Sequence, residues 1–332
     1  MANRIAGKRI LVTGGTGFIG SALVRSLVAQ DAAVRTLDND SRGAATRLAD
    51  LGRRIEHITG DVRDPAVVRA AVRGVDCVCH LAYINGTQHF YSHPELVLEV
   101  GVKGMMNVLD ACVAEGVREL VLASSSEVYQ SPPEIPTDET VPLSVPDVLN
   151  PRYSYGGGKI ISELLAVNYG RKFFDRTLIF RPHNVYGPDM GREHVIPQFI
   201  LRVREAAARQ PAGVLDFPIQ GTGDETRAFI YIDDFTRGLL CVLDAGESPG
   251  VYHIGTGREV AMGALAHMVA AACGREIRLV PGELLPGSTL RRCPDVERLE
   301  ALGFRPAVSL EEGLRRTVEW YTQHCATRTG PR

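Results

Sequence analysis

The sequence predicts an α/β protein, a doubly wound parallel sheet followed by a smaller C-terminal α/β cap. Three observations carry this. Short apolar runs alternate with helical spacing over the first 125 residues, a glycine-rich turn joins the first run to the first helix, and elements become shorter and richer in Pro and Gly after residue 183. Strands alternating with helices imply parallel pairing through right-handed crossovers.

Taken in order, Arg9–Thr13 (RILVT) reads as the first strand and Phe18–Ala29 as the first helix. Ala33–Leu37 is a second strand, ending at Asp38. Ile55–Thr59, Asp76–Leu81 and Glu119–Ala123 read as further strands, with helices over 65–73 and 94–115. Residues 130–153 are rich in Pro, Ser and Asp and read as a loop. A helix over 159–172 and a strand at Thr177–Phe180 complete a first unit, 1–183. The remainder, 184–325, carries strands near 216–220, 227–231, 251–254 and 277–280, and helices near 195–208, 233–244, 260–273 and 309–323. It reads mainly as the cap, some later segments returning to the first unit.

Composition narrows the class. Of 332 residues 45% are hydrophobic and 23% charged, as in a soluble globular protein. A formal net charge of −2 gives no basic field for nucleic acid and no polybasic patch for a membrane. No apolar run reaches the roughly 18–20 residues of a membrane span. The basic start, MANRIAGKRILVTGG, reads as a strand opening a domain and not as a signal peptide. The seven cysteines are scattered. Cys77 and Cys79 are expected to point to opposite faces of their strand, so that no metal site forms between them. Reduced, buried thiols fit a cytoplasmic location.

TGGTGFIG (13–20) lies between a strand and a helix. Gly14 permits a tight turn, Gly17 lets backbone approach a pyrophosphate, and Gly20 lets the helix pack on the strand. The helix N-terminus offers N–H groups and a positive dipole end to that anion. Asp38 would accept hydrogen bonds from a ribose diol and repel a 2′-phosphate, which favours NAD over NADP; Arg42 nearby pulls the other way. Asp61 and Val62, after the third strand, are placed at the adenine. Leu81 and Ala82, after His80, are placed near the pyrophosphate and nicotinamide ribose.

Tyr155 and Lys159 are four apart and share a helix face. An ammonium near a phenol should stabilise the phenolate and lower its pKa, so that the tyrosine takes a proton from a sugar hydroxyl while hydride leaves the same carbon. Ser124, Ser125 and Ser126 follow the fifth strand, and one of them can share that hydrogen bond.

With TGGTGFIG, LDND, GDVRD, HLA, SSSEVY, YSYGGGK, RPHNVYGP, GTGDETRAFIYIDD and RRCPD, the sequence resembles the extended short-chain dehydrogenase/reductases of the nucleotide-sugar epimerase/dehydratase/decarboxylase group. The resemblance implies a Rossmann-type NAD domain with a substrate-binding cap. It assigns Tyr155 as base, Lys159 as its electrostatic partner and ribose clamp, and Ser125 as the third member of a triad. It adds Phe18, Ile19, Asn39, Ser41 and His183 to the cofactor site. It implies bound NAD, a sugar oxidised usually at carbon 4, a nucleoside-diphosphate sugar as partner, and a homodimer through helices 94–115 and 159–172. Gly156–Gly158 would leave room for sugar and nicotinamide. Two positions depart from the family pattern: Gly158 stands where a serine is frequent, and Gly101 where an asparagine is usual.

A 4-keto sugar opens four routes: 4-epimerisation, 4,6-dehydration, decarboxylation, or proton exchange at carbons 3 and 5. Glu127 in SSSEVY resembles the working glutamate of dehydratases and uronic-acid decarboxylases. His194 in GREH corresponds to a catalytic lysine of GDP-mannose 3,5-epimerase, and a Glu127–His194 pair could shuttle protons across the ring. Arg227 and Arg292 resemble the family's diphosphate clamps, guanidinium being suited to bidentate phosphate contact. Ser126, Asn184, Phe199 and Gln220 complete the candidate substrate contacts. The expected activity is an NAD-dependent nucleotide-sugar epimerase, with decarboxylase or dehydratase next. A non-catalytic NAD-binding sensor or scaffold is the rival from another class.

Overall fold

The computed structural model describes residues 3–284 and 289–325. Seven parallel strands form the central sheet: β1 (Arg9–Thr13), β2 (Ala33–Asp38), β3 (Ile55–Thr59), β4 (Cys77–His80), β5 (Glu119–Ala123), β6 (Arg176–Pro182) and β7 (Gly250–Ile254). Their order is β7-β6-β5-β4-β1-β2-β3. The chain works outward from β1 to β3, then crosses back to lay β4 on the other side of β1, with Thr13 in register with both Leu37 and His80. Sheets of this kind bind ligands where the order reverses, outside the carboxyl ends of the strands.

Alternation along each strand divides the core between two faces. Ile10 and Val12 join one buried cluster with Leu23, Leu27 and Phe235, whereas Leu11 joins the other with Val68, Leu120 and Leu122. Cys77 and Cys79 lie together in the first cluster, and Val78 between them lies in the second. This corrects the expectation of opposite faces, because side chains two apart on a strand share one. Among the described residues no three potential ligand side chains gather as a metal site. No helix among them is long and apolar enough to cross a membrane.

Later segments do return to the sheet. β7 pairs with β6, and helix Ile232–Ala245 packs against Phe18–Ala29. Among the described residues from 184 onward there are three small sheets, one of them pairing Val185–Tyr186 with Ile230–Tyr231. Thr226–Ala228 pairs antiparallel with Glu259–Ala261 and parallel with Arg291–Arg292; Leu215–Pro218 pairs with Ile277–Val280.

Two helices differ from expectation where glycine is involved. The helix expected at 159–172 runs Ser154–Phe173, so all three glycines lie inside it. The stretch 94–115 is Pro94–Leu98, a π-helical turn over Glu99–Lys103, and Gly104–Glu115. Such turns commonly mark functional sites.

Candidate functional site

The glycine loop has the geometry that pyrophosphate requires. Gly14 has φ +72°, and its N–H donates to the Leu37 carbonyl at 2.9 Å. A Cβ there would fall 2.8 Å from the Ala82 nitrogen, and one on Gly20 would fall 2.0 Å from the Gly14 carbonyl oxygen. Both glycines are therefore obligatory. No side chain caps helix Phe18–Ala29 at Gly17, and its first turn has no acidic residue, leaving N–H groups free for an anion. Asp38 is fixed at the end of β2 by the N–H groups of Thr16 (3.0 Å) and Asp40 (2.9 Å). This cradle and its anchored carboxylate fit a dinucleotide.

The other cofactor candidates divide. Asp61 is paired with Arg63 at 2.9 Å and accepts from Asn39 at 3.1 Å. Ser41 is exposed and Val62 buried. Arg42 is committed to Glu193 and Arg47 to Asp189 (2.6 Å), so two ion pairs tie segment 42–47 to cap loop 189–193. The Leu81 and Ala82 N–H groups both donate to Thr13 Oγ1 at 3.2 Å, which also shares a hydrogen bond with His80 Nδ1 at 2.7 Å. The buried His80 Nε2 has no hydrogen-bond partner. His183 is buried with both ring nitrogens unpartnered, edge-on to His253. Such orphaned polar atoms at a ligand crevice suit a site that an incoming polar group completes.

Ser125, Tyr155 and Lys159 converge at the ends of β5 and the following helix. Ser125 Oγ accepts the Glu127 N–H at 3.1 Å. Lys159 Nζ donates to the Ala123 carbonyl at 2.6 Å. Burial pushes Tyr155 up to about 12; its hydrogen bond with Ser125 opposes this and the Glu127 charge adds to it. Burial also lowers Lys159 to about 7, partly offset by Glu163. A phenol acidified by a neighbouring ammonium is thus not what this structure contains. Lys159 Nζ is 5.8 Å from the Tyr155 ring centroid but 3.9 Å from that of Tyr83.

The glycines beside Tyr155 answer to protein neighbours. A Cβ on Gly156 would fall 2.8 Å from the Glu127 carbonyl oxygen, and one on Gly158 would fall 2.1 Å from the Tyr83 hydroxyl. A Cβ on Gly157 would lie 3.4 Å from Val145, an ordinary contact. Phe90 stacks on Tyr155 with centroids 4.9 Å apart, and Tyr83 meets it edge-on at 5.1 Å.

Glu127 pairs with Arg292 at 2.6 Å. Burial pushes its carboxyl up, but the Arg292 guanidinium, with Arg152 and Arg227 behind it, outweighs burial and holds it below the usual carboxylate range. Burial, then the charge of Arg292, lowers Arg227 to about 10. One carboxylate amid three guanidiniums is a site for further negative charge. Ser126 is buried beside it.

Four substrate or catalytic candidates stand elsewhere. Asn184 donates its amide to the Ala228 carbonyl at 2.7 Å, tying β6 to the cap. Phe199 is buried against Phe217 and acts in packing, whereas Gln220 is exposed. Burial lowers His194, which feels the charges of Glu193 and Arg42 and not that of Glu127. Tyr83, Phe90 and Arg152 were not anticipated; the departures at Gly101 and Gly158 were the available signal for Tyr83.

Comparison with known proteins agrees with this geometry. The sequence profile of the "NAD dependent epimerase/dehydratase family" matches residues 10–255. A dTDP-4-dehydro-6-deoxy-D-allose reductase of Streptomyces bikiniensis is 33% identical over 339 residues, 97% of this chain and 99% of the relative. A dTDP-glucose 4,6-dehydratase from Streptomyces venezuelae, solved with NAD bound, superposes with TM-score 0.84 at 32% identity, covering 96% of this chain and 98% of its own. The UDP-glucose 4-epimerase of Thermus thermophilus, also solved with NAD, gives TM-score 0.82 at 30% identity, covering 95% and 99%.

Proposed function

Since the chain belongs to the NAD dependent epimerase/dehydratase family, we propose that it is a nucleotide-sugar 4-epimerase working through a transient 4-keto sugar. The family includes nucleotide-sugar epimerases, 4,6-dehydratases and decarboxylases, and its members are NAD-dependent. Bound NAD supplies the hydride acceptor and, once reduced, the donor. The protein's part is to move one proton. Tyr155 Oη, hydrogen-bonded to Ser125, takes the proton of the 4-hydroxyl as the C4–H hydride departs, and returns it after the ring has turned over. Arg152, Arg227 and Arg292 would hold the diphosphate.

One observation carries this reading. Two carboxylates stand near Ser125, Tyr155 and Lys159: Glu163 is bound by both oxygens to Arg181, and Glu127 is held ionised by Arg292. Water elimination needs a base for the C–H and an acid for the leaving hydroxyl, and the ionised Glu127 supplies only the first. The Glu127–His194 shuttle has no support, since the charges acting on His194 are those of Glu193 and Arg42. C4 inversion asks for no group beyond the triad.

A second reading, decarboxylation of a nucleotide uronic acid, is favoured by the Glu127 charge being felt at Tyr155. Incubation with UDP-, GDP-, dTDP- and CDP-sugars in deuterated water separates the two. Inversion at carbon 4 without deuterium supports the epimerase; loss of carbon dioxide supports the decarboxylase. Deuterium at carbon 3, deuterium at carbon 5 with the carbon skeleton intact, loss of water, or net consumption of reduced cofactor on a 4-keto sugar overturns both; decarboxylation itself leaves one solvent deuterium at carbon 5. Glu127→Gln should leave inversion intact if the first reading holds, and should stall the reaction with cofactor reduced if the second does. The same reading includes a homodimer through helices 94–115 and Ser154–Phe173, supported by the exposure of Leu98, Ile161 and Leu164.

A further inference from the structure

Tyr83 follows β4 by three residues, and two helices make room for its phenol. A methyl on Gly101, in the π-helical turn, would fall 2.1 Å from its hydroxyl oxygen; a methyl on Gly158, in helix Ser154–Phe173, would fall at the same distance. No real Cβ approaches so closely, and both positions face the rigid ring system. Each glycine is therefore a condition for Tyr83 being where it is. The hydroxyl gains nothing from this socket, since it is buried without a hydrogen-bond partner, and an unpaired buried polar group is a cost. What the socket holds to advantage is the ring. Its face lies 3.9 Å from Lys159 Nζ, and it meets Tyr155 in a T-shaped contact at 5.1 Å and 83°. An aromatic face carries negative quadrupole charge and attracts a desolvated ammonium more strongly than an exposed one.

We propose that Tyr83 is a positioning residue for the proton step, its socketed ring keeping the Lys159 ammonium charged and fixed beside Tyr155. The proposal rests on the reading above only in taking Lys159 and Tyr155 as the groups that serve proton transfer.

The surroundings of Lys159 show why a ring matters. On its own helix stand Tyr155 and Glu163. At the end of β4 stands His80, neutral and a partner of Thr13. From β5 comes the Ala123 carbonyl. Glu163 is the anion of this set, but both its oxygens are taken by Arg181, and Ser124 donates to one of them. Burial opposes the ammonium and brings its proton affinity down to about neutrality. A modest further loss of stabilisation would leave Lys159 uncharged at neutral pH.

The chain has four lysines, Lys8, Lys103, Lys159 and Lys172, so NMR titration of protein with 13C-labelled lysine follows Lys159 directly, without substrate. Tyr83→Phe keeps the ring; Tyr83→Leu keeps an apolar filler without a π face. The Phe variant should titrate with wild type. In the Leu variant Lys159 should lose its proton at about tenfold higher proton concentration, and kcat at neutral pH should fall about fivefold with KM within about twofold. An unchanged or raised Lys159 midpoint in Tyr83→Leu overturns the proposal, as does equal damage from Phe and Leu. Gly101→Ala tests the socket: it should lower Tm in wild type and do little in the Tyr83→Leu background. Equal losses in both backgrounds also overturn it. A wild type that converts no nucleotide sugar, while Phe and Leu still separate in the lysine titration, sinks the functional reading and leaves the Tyr83–Lys159 coupling supported.

Discussion

At the scale of single residues, the site is chemistry held back by burial. Tyr155 is pushed up to about 12 and Lys159 down to about 7, so each is displaced toward its neutral form. On the proposed mechanism, catalysis would have to reverse that displacement when substrate and cofactor arrive, with the Ser125 hydrogen bond and the Lys159 charge as the chain's own means. Tyr155→Phe removes the proton carrier and little else. It should cost about 10²- to 10⁴-fold in kcat with NAD affinity within about twofold, measured by turnover and by titration with the dinucleotide; a loss under tenfold would count against the assigned role. Tyr155, Lys159 and Ser125 were legible because helix spacing and a strand-end serine run are local patterns. Tyr83 was not, because its partners lie 18 and 75 residues further along the chain. The surroundings of Phe199 and His194 were not legible for a related reason. Burial against Phe217 and proximity to Glu193 and Arg42 are tertiary facts that leave no mark on a short motif.

At the scale of elements, glycine misled the helix boundary and then explained it. The triplet at 156–158 reads as a helix breaker, yet Ser154–Phe173 is continuous because two of the three glycines admit close tertiary contacts. The same helix presents Ile161 (41% exposed) and Leu164 (59%) outward, near-neighbours on one face. If this face is the proposed dimer seam, Ile161→Glu with Leu164→Glu should give a monomer by light scattering while the cofactor still binds; an unchanged mass removes the seam. A second element-scale device spans the nucleotide side of the crevice. Arg42–Glu193 and Arg47–Asp189 join the segment after Asp38 to the cap loop. Partly exposed ion pairs contribute about 0–1 kcal/mol each, so Glu193→Gln with Asp189→Asn should speed NAD release about fivefold, and high salt should do the same to wild type. Stopped-flow displacement checks both. The turn at Ala45–Arg54 that carries Arg47 was not legible, being a short run of 3-10 turns broken at Gly52.

At the scale of the whole molecule, the sheet was the most legible feature, since buried parallel strands write themselves as apolar runs. The cost of that burial is borne by histidines. His80 is lowered to about 3, by burial and then by Lys159; His253 is lowered to about 4, chiefly by burial. Their folded pKa values lie below the ordinary value near 6.5, so on acidification the unfolded chain takes up protons first. Stability is complete above pH 6.5 and is lost as pH falls toward 3. At pH 5 each histidine should cost about 2 kcal/mol relative to neutrality. Urea midpoints at pH 7 and pH 5 measure this, and equal midpoints would contradict it.

The return of β7 to the sheet has a consequence for how the chain is made. On a ribosome, β6 is finished some seventy residues before its outer neighbour is translated. Through that interval an apolar strand, Arg176–Pro182, offers an unpaired edge to any other nascent chain. A gene fragment stopping at residue 183 would make that interval permanent, and its product should be sticky where the intact polypeptide is not.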